Sequence, residues 1–285
     1  MKIPARLRPL YEDGLIDEVL YQLMSGKEAT VYVVRSGDET RCAKVYKEAA
    51  KRSFKQAVKY QEGRREKNSR RARAMEKGSK FGRKQMEESW QNAEVDALYR
   101  VARAGVRVPQ PYGCFDGVLL MELVTDDEGE VAPRLADVDM TAQQAREDHA
   151  LMMHYIQLML CAGMVHGDLS EFNVLVDDYG PVIIDLPQAV DAAANNNAEA
   201  MFTRDVNKIS SYYAHFAPEL KYTRYAKEMW GLYEEGELTP EVHLTGQAEE
   251  DEHEADVDGV LQEIKAVMAE EQERQERLRE AEEPE

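Results

Sequence analysis

Hydrophobic and polar positions along the 285-residue chain change their period several times, and each change marks an element. Between residues 19 and 34 the apolar and β-branched content rises, broken at Ser25-Gly26-Lys27-Glu28, which predicts strand, small-residue turn, strand. A turn at Ser36-Gly37-Asp38 leads to a third strand over 41–46, with Lys44 in its middle. Over 85–103 the period becomes helical: Trp90, Ala97, Leu98 and Val101 fall at 0, +7, +8 and +11, one face of a helix. Glu94, at +4, lies on that same stripe. An ionised carboxylate facing a core costs several kcal/mol unless paired, so Glu94 needs a cation, and Lys44 is the best candidate.

Gly105 and the prolines at 109 and 111 end this helix, and Gly117 opens a buried strand over 118–123. The polar stretch 125–130 that follows suits a hinge between two lobes. Thr141 with Gln144 has the capping-box spacing for a helix through Cys161, made central by Leu151, Met152, Tyr155, Ile156, Met159 and Leu160. His149 and His154 are five apart, wrong for one helix face, and read as structural residues rather than metal ligands. Residues 165–191 read as a tight turn, a strand over 174–176, a turn at Asp178-Tyr179-Gly180 and a strand over 182–184. Beyond it Asn197 can cap a helix with Phe202, Val206, Ile209, Tyr213 and Phe216 at the 3.6 period, closed by Pro218. A last aromatic helix over 222–233 completes the second lobe near residue 245, and residues 1–14 form a weakly helical lead-in.

Charge changes this picture at two places. Net charge is −19, yet residues 44–84 hold sixteen Lys/Arg against four Glu, a local balance of +12. The segment is open to two readings, a solvated insertion or a nucleic-acid surface. Beyond Tyr46 of the third strand, its few aromatics (Phe54, Tyr60, Phe81) favour phosphate contact over base stacking. Residues 247–285 hold sixteen Asp/Glu against four Lys/Arg, a balance of −12, and are expected as a frayed helix or a disordered tail. Three cysteines, Cys42, Cys114 and Cys161, are too few and scattered for a disulfide framework or a zinc site. The start lacks an apolar signal core, and no run approaches the roughly 18 apolar residues of a membrane span. A cytosolic protein with no membrane partner is expected.

The chemistry concentrates in 165–191. The hairpin brings Asp168, Asn173 and Asp185 towards one end of its strands, two carboxylates and an amide within reach of one pocket. Phosphoryl transfer needs such a set: an acid to orient and deprotonate the attacking hydroxyl, and oxygen ligands for Mg²⁺. Any one of these residues alone reads as a solvated turn residue; the full spacing followed by a buried Ile-Ile-Asp does not. Lys44 reads either as a snorkelling strand residue or as a lysine reaching phosphates under the first turn.

HGDLSEFNVLV followed by IIDLPQAVD resembles the signature of the RIO-type atypical serine/threonine protein kinases, and the resemblance covers roughly residues 15–235. SGKEATVY resembles their phosphate loop, AKVYK their strand lysine and LLMEL their hinge, and the chain looks closer to the first RIO subfamily than to the second. The resemblance implies an α+β, bilobal protein-kinase-like fold, with an antiparallel N-lobe sheet, one key helix and a mostly helical C-lobe. It also implies a kinase trimmed of activation loop and peptide-docking subdomain. The lobes would occupy 1–123, with a basic insertion at 47–84, and 124–245, with the acidic tail over 246–285. Carried over by position, Asp168 would be the catalytic aspartate, and Asn173 and Asp185 the Mg²⁺ ligands. Lys44 would hold ATP phosphates with Glu94 as its partner. Ser25, Gly26 and Lys27 would belong to the phosphate loop, and Met121, Glu122 and Leu123 would line the adenine site. For segment 44–84 it adds RNA or a ribosomal subunit as the expected contact.

The chain departs from ordinary protein kinases. Its loop has one glycine, and Asp185 is followed by Leu186-Pro187 instead of Phe-Gly, which speaks against a Phe-driven switch. Ala217-Pro218-Glu219 spells the end of a kinase activation segment, but the periodic helix before it makes the match a coincidence. Three function classes remain. An ATP/Mg²⁺-dependent RIO-type kinase or ATPase is favoured. A small-molecule phosphotransferase of the aminoglycoside or choline kinase type shares HGD…N…ID but commonly shows HGDLHPGN, where this chain has HGDLSEFN. A non-catalytic RNA- or protein-binding module is disfavoured because every phosphoryl-transfer position is filled.

Overall fold

The computed structural model describes residues 3–26, 29–47 and 94–248. Every described residue except Ala248 belongs to one compact unit, Met1–Gln247. Readings that fall on Lys27, on most of the basic segment, on Trp90 and on the acidic tail lie outside the described residues.

The unit is α+β. Strands β1 (Glu18–Ser25), β2 (Ala29–Ser36) and β3 (Glu39–Tyr46) run as consecutive hairpins. β4 (Pro111–Phe115) and β5 (Val118–Glu122) complete an antiparallel sheet in the order β1-β2-β3-β5-β4. The central strands are buried on both faces, which explains why they read as apolar runs rather than alternating ones. On one face Val34, Ala43, Val45, Val118 and Leu120 pack with Leu7, Leu10 and Ile16. The lead-in, with helix α1 (Arg8–Glu12), is therefore a cover for the sheet. A helix of five residues is too short to show a period, so this role was not visible in the pattern. On the other face Tyr46 and Leu119 join Ala97, Leu98 and Val101 of helix α2 (described over 94–103) in the larger core. Lys44 pairs with Leu119 across β3 and β5, two residues from Tyr46, so alternation puts it on the α2 face.

The helical half contains α3 (Ala142–Cys161), α4 (Ala198–Tyr213) and α5 (Tyr225–Glu234). Two small ribbons join them: β6 (Met164–Val165) with β9 (Val190–Asp191), and β7 (Val174–Asp177) with β8 (Gly180–Ile183). Thr141 and Gln144 form the reciprocal capping box at the start of α3. His149 lies 2.9 Å from the Ser210 hydroxyl, tying α3 to α4, and burial brings its pKa down to about 4. His154 is exposed, so it is not a core residue. Among the described residues no cluster of His, Cys, Asp or Glu could by itself hold a metal, and no helix is long and apolar enough to cross a membrane.

Two helix boundaries differ from the pattern. α4 ends at Tyr213, leaving Phe216 outside it, and Pro218 opens a separate 3-10 turn, Pro218–Tyr222, so α5 starts only at Tyr225. Asn197 stands at the N-cap of α4 but makes no side-chain cap bond. Arg107 ties β5 to the β7–β8 ribbon. Its guanidinium donates to both Glu122 oxygens at 3.1 and 3.0 Å and to Asp177 at 3.0 Å, and its carbonyl accepts the Ile183 N–H at 2.9 Å.

Candidate active site

Lys44 is the centre of the site. Its Nζ donates to Glu94 Oε1 at 2.5 Å and to Asp185 Oδ1 at 2.7 Å. The side chains of Lys44 and Glu94 are only 11% and 4% exposed, against 47% for Asp185. Burial works against the ammonium, but the two carboxylates outweigh it and hold the Lys44 pKa above the ordinary lysine value. Burial likewise opposes ionisation of Asp185, and Lys44, helped by His166 and Arg134, still brings its pKa below the usual carboxylate value. Next to this trio, burial and then the Glu94 carboxylate push the Tyr46 hydroxyl upward, so it stays neutral.

The turn after β6 carries Asp168. Gly167 has φ +83°, a left-handed conformation that glycine adopts without steric cost. Its N–H donates to Asp205 at 2.8 Å, and its carbonyl accepts from Arg204, so α4 grips the turn from below. His166 Nδ1 accepts the Asp168 N–H at 3.3 Å, which leaves the ring proton on Nε2 to donate to the Ile184 carbonyl at 3.1 Å. One imidazole thereby ties the Asp168 turn to the residue before Asp185. Asn173 Nδ2 donates to the Asp168 carbonyl at 2.7 Å, and the Ile184 N–H donates to the Asn173 carbonyl at 3.0 Å. The open end of the β7–β8 ribbon thus brings Asn173 and Asp185 together with the turn that carries Asp168.

Asp185 itself has φ +66°. Such a backbone costs roughly 1–2 kcal/mol for a residue with a Cβ, and strain of this kind gathers where function fixes a side chain. Leu186 behind it is buried, and the chain turns straight into β9, so residues 186–197 leave no room for a long loop.

At the β1–β2 turn, Lys47 donates to Ser25 Oγ at 2.9 Å and to the Gly26 carbonyl at 2.5 Å. Met121 packs against the larger core, and Leu123 is half-buried. The Glu122 carboxylate is held by Arg107 and by the Gln110 N–H at 2.9 Å, and its own N–H donates to the Gln110 carbonyl at 2.9 Å, so its carbonyl is what is left for a ligand.

The model of the RIO domain matches residues 30–226, which hold the whole constellation except the Ser25-Gly26 turn. The chain belongs to the RIO domain family. It is 35% identical over 212 residues to the RIO-type serine/threonine-protein kinase Rio1 of Haloferax volcanii, covering 73% of this chain and 68% of that one. It is 32% identical over 187 residues to serine/threonine-protein kinase rio1 of Schizosaccharomyces pombe, and 33% over 180 residues to RIO1 of Homo sapiens. Those matches cover 65% and 62% of this chain but only 36% and 30% of the two relatives.

Several groups in this RIO domain carried no signal in the sequence. Gln188 Nε2 lies 3.4 Å from Asp168 Oδ2, and Lys208 Nζ lies 3.7 Å from Asp168 Oδ1. Asp205, Arg204, Lys208 and Arg107 are far in sequence from the motif, and only the packing of α4 and of the 105–110 connection brings them in. The oxygen donors of Asn173 and Asp185 suit Mg²⁺. This ion is usually held by one or two carboxylates plus phosphates and water, so a site without an all-protein metal cage fits it.

Proposed function

We propose that this chain is an ATP- and Mg²⁺-dependent serine/threonine protein kinase. The observation that carries the reading is the buried Lys44 ammonium bonded at once to Glu94 and to the strained Asp185. A lysine with three donors can keep Glu94 while turning towards phosphates. In this reading Lys44, oriented by Glu94, holds the α and β phosphates, and the Ser25-Gly26-Lys27 turn covers them. Met121 and Leu123 line the adenine, with Glu122 contributing its backbone carbonyl. Asn173 and Asp185 are the metal ligands, and bound Mg²⁺ supplies neutralisation of the phosphate charge. Asp168 takes the proton of the acceptor hydroxyl as its oxygen bonds to the γ-phosphorus, while the bond to the β–γ bridging oxygen breaks and ADP leaves.

The test is transfer of label from γ-labelled ATP to protein, followed by phosphoamino-acid analysis. Label on serine or threonine that EDTA abolishes is expected. Label released only as free phosphate would replace the kinase with an ATPase, and label found only on a small molecule would favour the aminoglycoside or choline kinase type. The basic insertion 47–84, with fifteen Lys/Arg against four Glu, is proposed to contact RNA or a ribosomal subunit. Its binding should then weaken steeply with salt, and a flat salt response would remove that proposal.

A further inference from the structure

A cavity of about 640 Å³ opens beside Asp168, between the loop 170–172 and helix α4. Arg204, Asn207, Lys208 and Ser211 line it from α4, at spacings of three and four that put them on one face of the helix. All four offer hydrogen-bond donors, and two are cations. Phe172, 57% exposed, stands on the loop side as an apolar wall that no core cluster absorbs. Glu171 is the one acid among the lining residues; burial first, then the Glu171, Asp137 and Asp139 carboxylates, raise the pKa of the hydroxyl of Tyr212, another lining residue. Lys208 joins the groove to the Asp168 turn, its Nζ 3.7 Å from the Asp168 carboxylate.

Resting on the kinase reading, we propose that this groove receives the acceptor segment of the protein substrate and selects an aspartate or glutamate beside the acceptor serine or threonine. With the hydroxyl at Asp168, the neighbouring residues lie along the donor face of α4. Lys208 Nζ stands 3.7 Å from Asp168 Oδ1, so a carboxylate paired with it lies within about one to two residues of a hydroxyl held at Asp168, at roughly 3.3 Å per extended residue. The acid is therefore wanted one or two positions from the acceptor. Phe172 takes an apolar side chain of the same segment. Arg204 is held by hydrogen bonds to the Gly167 carbonyl and to Asp205 at 3.1 Å, whereas Lys208 makes, among the described residues, only the looser 3.7 Å ion pair with Asp168, so Lys208 is the principal selector.

Serine peptides with Asp, Ala or Lys next to the acceptor test this, phosphorylated by the full chain with Mg²⁺ and ATP. Wild type should prefer the Asp peptide over the Ala peptide by about tenfold in kcat/KM, and disfavour the Lys peptide. Lys208→Gln should cut the preference to about twofold, while Lys208→Arg should restore it. Ser211→Lys, which adds a cation to the same face, should widen it, and Phe172→Ala should raise KM for all three peptides alike. Equal use of the three peptides by wild type, or a preference that survives Lys208→Gln, overturns the groove assignment and leaves the kinase reading standing. No peptide or protein labelled above an Asp168→Asn control overturns both, and label carried only by RNA does the same.

Discussion

Replacing Lys44 by methionine removes the cation that holds two carboxylates 2.5 and 2.7 Å from one nitrogen. The two carboxylates respond differently because their exposure differs. Glu94, 4% exposed, stays out of water, whereas Asp185, 47% exposed, regains its hydration. Removing one partner of a buried pair costs roughly 3–5 kcal/mol, nearly all of it here from the stranded Glu94. Glu94→Gln is milder, about 1–2 kcal/mol, because Lys44 keeps Asp185. The double variant, Lys44→Met with Glu94→Gln, buries no charge and should recover about 2 kcal/mol over Lys44→Met alone. Urea unfolding of the four proteins at pH 7 measures this directly. Phosphoryl-transfer rates should follow a parallel rule: near-background for Lys44→Met, a larger residue for Glu94→Gln, and no further loss in the double variant. Additive losses, in stability or in log rate, would refute the pairing and return Glu94 to a separate structural role.

Other expectations are as specific. Asp185→Asn should lose Mg²⁺-dependent activity at saturating metal, and Asn173→Ala should lose less, since only the first removes an anionic ligand; initial rates across a Mg²⁺ titration check it. Arg107→Met should destabilise by about 2–4 kcal/mol, because it strands Asp177, whose side chain is 3% exposed, and frees Glu122; denaturant midpoints read it. His149 titrates at about 4 in the fold against 6.5 free. The unfolded chain therefore binds more protons between those values, so the His149 contribution is intact above pH 6.5 and falls as pH drops through the window. The loss from pH 7 to pH 5 is about 2 kcal/mol, and His149→Gln should remove that share of the acid sensitivity.

Much of the fold was legible because its signals are local. Three β-rich runs separated by glycine turns, the Thr141–Gln144 capping box and the ribbon over 174–183 all lie where short-range pattern puts them. The Lys44–Glu94 contact was legible for a different reason: a carboxylate on an apolar helical stripe demands a partner, and one lysine stood in a strand. That argument said nothing of a second partner, so Asp185 on the same Nζ was not foreseen. Asp205, Arg204 and Lys208 support or approach the Asp168 turn from α4, where the sequence signal was confined to the apolar stripe of the helix. The ends of α4 and α5 were misjudged because Phe216 continued the apolar period through a turn.

The most direct test of the central claim is the single-turnover rate of phosphoryl transfer by Asp168→Asn at saturating Mg²⁺ and ATP, with ATP affinity measured on the same protein. A side chain that removes a proton in transfer but does not hold the nucleotide predicts a rate at least about 100-fold below wild type, with ATP binding within about twofold. Transfer at the wild-type rate by Asp168→Asn would contradict the assignment of this site to phosphoryl transfer.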